Sequence, residues 1–122
     1  MTTRVSFVEL ELGREPQFPF GERGRVYQLY LPLRPDGRVD TDAVGHGHNC
    51  CRGRRLRTGY GPAEGSIVLG PEGRLVLQYE NVPLLPSVIE VDSVPLAVGG
   101  SVPITEANGE EHEFQVISVR QV

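Results

Sequence analysis

The chain has 122 residues, 39% of them hydrophobic and 23% charged, with 15 Gly, 10 Pro and a formal net charge of −4. That length bounds a single β domain over 1–122 with room for one core, and glycine and proline spread along the chain mark a turn-rich β protein rather than a disordered one. The acidic balance disfavours non-specific binding to nucleic acid or an anionic membrane, and no apolar run approaches the ~20 residues of a membrane-spanning helix.

Arg4 to Leu12 alternates as a first strand, with Val5 and Phe7 on one parity and Val8, Leu10 and Leu12 on the other. This switch predicts a bulge near Phe7-Val8 or a strand buried on both faces. Residues 13–24 read as a loop in which Phe18 and Phe20 flank Pro19, either packed over an open end of the sheet or exposed as an aromatic platform. Arg25 to Leu33 is a second strand, with Tyr27, Leu29, Leu31 and Leu33 on one face and Val26 and Tyr30 on the other.

Arg34-Pro35-Asp36-Gly37 is a turn returning through a short strand, Arg38-Val39-Asp40, that pairs Val39 with Leu33. Asp40 or Thr41 caps one helical turn near 40–45, which Gly45 and Gly47 then stop. Cys51 to Arg57 has few apolar residues and reads as an edge strand, and 58–65 as a loop.

The best-defined unit is the hairpin from Ser66 to Tyr79. Pairing Leu69 with Leu75 and Ile67 with Leu77 puts both apolar sets on one side. Pro71-Glu72-Gly73 is left as the loop, with Pro71 at the second position of a type I turn and Gly73 left-handed in a bulge. Val88, Ile89 and Val91 form a short strand, and Val94 to Val98 another that Pro95 interrupts. A last hairpin from Ser101 to Val119 pairs Val102 with Phe114 and leaves Ala107-Asn108-Gly109 as its loop. Short strands at regular spacing, with no sustained helical period, predict an all-β barrel or sandwich of about seven to eight short strands, mostly antiparallel hairpins.

Two stretches, 24–40 and 109–119, resemble short all-β bacterial proteins of about this length that carry no assigned activity. The resemblance implies a small stand-alone domain and assigns no catalytic residue.

Two stretches carry candidate chemistry. Gly45-His46-Gly47-His48-Asn49-Cys50-Cys51 offers imidazole and thiol ligands suited to zinc, with His112 on the last strand as a further donor. Against a metal, His46, His48, Cys50 and Cys51 sit within six residues instead of forming two separated ligand pairs. The same stretch sets Cys50 or Cys51 beside His48 as a thiolate–imidazole pair, although neighbours in sequence rarely reach that geometry. The second stretch, Arg52, Arg54, Arg55 and Arg57 with Tyr60 nearby, suits phosphate or RNA binding. Alternation puts Arg52 and Arg54 on one face and Arg55 and Arg57 on the other, so only one pair can serve a single groove. Neutralisation by the acidic cluster Glu106, Glu110, Glu111 and Glu113 explains the same composition without a ligand.

There is no Gly-x-Ser-x-Gly elbow and no phosphate-binding Walker loop. A disulfide between the adjacent cysteines would be strained and unusual, and with no secretory leader they read as thiols of a cytoplasmic protein. The expected function is therefore a non-enzymatic binding or interaction module with no cofactor, acting on a partner, such as another protein, through loops or a sheet edge. Zinc binding and RNA or phosphate binding are the alternatives.

Overall fold

In the computed structural model of the chain, which describes residues 4–13, 22–45, 51–91 and 95–122, side-chain alternation carries eight strands round into a closed barrel. The strands are β1 (Arg4–Leu12), β2 (Glu22–Leu33), β3 (Arg52–Arg57), β4 (Ala63–Leu69), β5 (Leu75–Tyr79), β6 (Ser87–Ile89), β7 (Ser101–Thr105) and β8 (Glu111–Gln121). Each pairs antiparallel with its neighbours in sequence, and β1 pairs with β8 to close the ring. The fold is thus all-β and a barrel rather than a sandwich.

Inward positions fill the interior. Val8, Leu10 and Leu12 meet Tyr27, Leu29 and Leu31, with Leu75, Leu77, Ile89, Ile104 and Phe114 completing a core of nearly inaccessible side chains. At one end Val39, Val44, Val91 and Leu96 cover this core. Val44 belongs to a short helix, α1 (Thr41–Gly45), which packs on β2 and β4. The Asp40 carboxylate accepts the Ala43 N–H at 3.1 Å and so caps it, as expected.

Both hairpin registers hold: Leu69 faces Leu75, Ile67 faces Leu77 and Val102 faces Phe114. Gly37 and Gly109 take positive φ (88° and 85°) and donate back to Arg34 and Glu106, closing the two bulged turns. The turn at Pro71 differs from expectation. Glu72 itself is left-handed (φ 60°, ψ 28°), followed by Gly73 at φ 75°, and the Arg74 N–H reaches Pro71 O at 3.2 Å. Two successive left-handed residues make a type I′ bend with Pro71 as its first residue and Glu72-Gly73 at its centre, not a type I turn with Pro71 in second position. A glutamate rarely adopts that conformation. Glu72→Asn should therefore raise stability by about 0.5–1 kcal/mol, read as a rise in the urea midpoint. The Glu72–Arg74 pair lost in the exchange spans 3.6 Å with Glu72 78% exposed, too open to offset the gain.

Other expectations are corrected. No bulge lies at Phe7-Val8: β1 keeps one parity throughout, because Phe7 lies on the outer face, 4.9 Å from the Tyr30 ring and beneath the Arg120 guanidinium at 5.2 Å. The irregularities fall instead in the partner strands: in β8, where Glu9 faces Ser118 and Leu10 faces Val116, leaving Ile117 as the extra residue, and in β2, where Glu11 faces Val26 but Leu12 faces Glu22. The return to Val39 is a single bridge to Leu33 rather than a strand. β4 begins at Ala63, inside the expected loop, and Pro95–Val98 is not a strand. β3 is no edge: it lies between β2 and β4.

Candidate binding site at the barrel mouth

At the end opposite α1, β2, β3, β5, β6 and the end of β7 bring polar side chains to the inner face, and the core gives way to an open mouth. Tyr27 faces Arg55, which faces Ala63, and Arg25 faces Arg57. Since Tyr27 and Ala63 are buried inside, the two-residue period turns Arg55 and Arg57 inward and Arg52 and Arg54 outward.

The outer pair is held by carboxylates. Arg52 donates to Glu80 at 2.8 Å and Arg54 to Glu64 at 3.0 Å. Arg52 pulls the Glu80 carboxyl below its usual range by hydrogen bond and charge. All four groups are about half exposed, so these pairs add little stability.

Inside, the floor of the mouth is a chain of hydroxyls. Tyr79 Oη lies 2.7 Å from Ser87 Oγ, Ser87 Oγ lies 3.1 Å from Tyr27 Oη, and Tyr27 donates to Glu106 at 3.1 Å. With Glu106 a pure acceptor, the chain is satisfied when every hydroxyl donates one step towards it. Burial is the main force pushing the Tyr27 phenol far up, aided by the Tyr79 and Glu106 charges; burial also raises Tyr79, although its bond to Ser87 opposes this. Both phenols stay protonated. Arg25 stands 3.8 Å from Glu106, and His112 Nε2 lies 3.2 Å from Glu110 and 4.0 Å from Glu106.

Above this floor is a pocket of about 590 Å³. Its walls are the β3–β4 turn with Tyr60 and Pro62, the β5–β6 loop from Val82 to Leu85, and the β7–β8 turn with Ala107 and Asn108. Tyr60 is 67% and Leu85 71% exposed, which is unusual for side chains of their size. Arg57 lies over the Tyr60 ring at 5.3 Å and Arg55 over the Tyr79 ring at 6.0 Å. Arg55 Nε is buried and has no hydrogen-bond partner among the described residues.

The expected Arg52–Arg57 group is thus divided, and only Arg55, Arg57 and Tyr60 share the pocket. The expected His/Cys group falls mostly outside the described residues: His46, His48 and Cys50 lie there, as do Phe18 and Phe20. Cys51 is buried just before β3, at the α1 end, whereas His112 opens β8 at the mouth. The barrel therefore sets these two at opposite ends. Among the described residues, no group of three or more His, Cys, Asp or Glu is placed to hold a metal ion, and no helix is long and apolar enough to cross a membrane.

Sequence reasoning gave Arg25 and Ser87 no role in a site, read Tyr27 and Tyr79 only as members of apolar strand faces, and read Glu106 only as part of an acidic cluster. A signal was present, since Tyr27 and Tyr79 each end an otherwise aliphatic inward face, and a buried phenol there needs a polar partner. A scan of protein-family models finds no match to the chain, and searches of curated proteins and of solved structures find none either.

Proposed function

We propose that this barrel is a binding module and that its ligand site is the mouth, which takes a small, largely apolar molecule. The observation that carries the reading is the pocket of about 590 Å³ whose walls expose Tyr60, Leu84 and Leu85 above a buried polar floor. Ligand sites in proteins are concavities of roughly 300–1,000 Å³, mostly apolar, with a few convergent polar groups. Small barrels present such sites at their open end. Closure also removes the sheet edge through which a partner strand would add, so binding falls to the loops.

The test is a titration with anilinonaphthalene sulfonate, followed by its emission, under conditions where the near-UV circular dichroism is native. Saturable binding at one site per chain is expected, weakened at least tenfold by Leu84→Glu or Leu85→Glu. These residues are 37% and 71% exposed, so both variants should fold. Non-saturable emission, or affinity unchanged in both variants, would remove the mouth as the site.

A further inference from the structure

We infer that the ligand of this pocket is an amphipathic acid whose oxyanion head is seated by the inward guanidiniums of Arg55 and Arg57. The inference rests on the mouth being a ligand site and adds the ligand's charge class. Three arginines reach the inner face here, and Arg25 is taken up by Glu106. No carboxylate among the described residues forms an ion pair with Arg55 or Arg57, in contrast to the outward Arg52 and Arg54. Both inward guanidiniums lie over aromatic rings, Tyr79 and Tyr60. A ring takes up the face of a guanidinium and leaves its N–H edge for another acceptor, and that edge matches a planar or tetrahedral oxyanion. Arg55 Nε, buried without a partner, is one such unsatisfied donor, and a buried donor of this kind gains most from an incoming oxygen.

Neighbouring groups fit this assignment. The phenols of the floor stay protonated, so they add no negative charge against an arriving anion. Glu106 also lines the pocket, but its carboxylate is already engaged by the Tyr27 hydroxyl and the Arg25 guanidinium. Carboxylates and phosphomonoesters share the required head, and the walls of Leu84, Leu85 and Pro83 require an apolar body next to it.

Three probes with one ring system separate the possibilities: naphthalene-2-carboxylate, 2-naphthyl phosphate and 2-naphthalenemethanol, titrated calorimetrically into the whole chain. At least one anion should bind tenfold or more tightly than the alcohol, and this preference should shrink with added salt. Arg55→Gln should abolish the preference, Arg57→Gln should reduce it, and Arg54→Gln, one position away but outward, should leave it intact. Whichever anion binds more tightly identifies the head as carboxylate or phosphoryl. Equal binding of alcohol and acids would overturn the charge assignment while leaving the mouth as a site. Binding by none of the three would overturn the site itself. A preference that survives both Arg55→Gln and Arg57→Gln would overturn the role of these arginines.

Discussion

Gly65→Ala should cost about 3 kcal/mol or more, a large part of the 5–15 kcal/mol that holds a domain of this kind together. A Cβ built on Gly65 lies 1.7 Å from Gln78 O, 2.6 Å from Gln78 C and 2.9 Å from Tyr79 Cα. All three are backbone atoms of the paired strand β5, so no side-chain rotation relieves the overlap and the ladder itself must separate. Gly53, directly opposite on β3, provides the control. There a Cβ meets the tips of Leu77 and Leu29 at 2.9 and 3.1 Å, atoms that can give way. Gly53→Ala should therefore cost only about 1 kcal/mol. The comparison is made by urea denaturation of the two variants beside the parent chain. A Gly65→Ala midpoint equal to that of Gly53→Ala would contradict the close approach of β4 and β5. The effect should extend to the mouth as well: Gly65 faces Tyr79 in the ladder, and Tyr79 carries the first hydroxyl of the buried chain.

The glycine pair also shows which parts of the fold could be read from the chain. Turn chemistry and alternation are local, so the registers of Leu69 with Leu75 and Val102 with Phe114 were legible from a dozen residues each. Closure was not, because it depends on β1 meeting β8, Ser6 with Gln121, across nearly the whole sequence. Without closure, a strand as arginine-rich as β3 reads as an edge, and Gly65 reads as part of a loop. The parity of the arginines could be foreseen, because it follows from the strand period alone. Their partners could not: Tyr27 and Glu106 stand 79 residues apart, and Tyr27 and Ser87 60 apart. Only the barrel brings such side chains into one layer, so the site became visible once β2, β3, β5, β6 and β7 were joined.

Stability should fall steeply above about pH 10, and the buried hydroxyl chain is the reason. Tyr27 and Tyr79 both have phenols raised above the ordinary value of 10.0, first by burial and, for Tyr27, by the Tyr79 and Glu106 charges as well. Below about pH 10 both phenols are protonated in the folded and unfolded chains alike, so their contribution to stability is fully present. Above it the unfolded chain releases these protons and the folded chain keeps them. The native state then binds more protons, and stability declines as pH rises. For Tyr27 the decline is about 1.4 kcal/mol per pH unit, and Tyr79 adds to it until its own folded pKa is passed. All 12 basic residues are Arg, so no lysine titrates within the window. Urea midpoints from about pH 8.5 to about pH 11.5 should be level at first and then drop, with tyrosinate absorbance rising as the chain unfolds. Tyr27→Phe should begin from a lower midpoint, having lost the bond to Glu106, and then decline less steeply. A parent midpoint that stays level to about pH 11 would mean that the phenols reach water, and the sealed polar floor beneath the pocket would not exist.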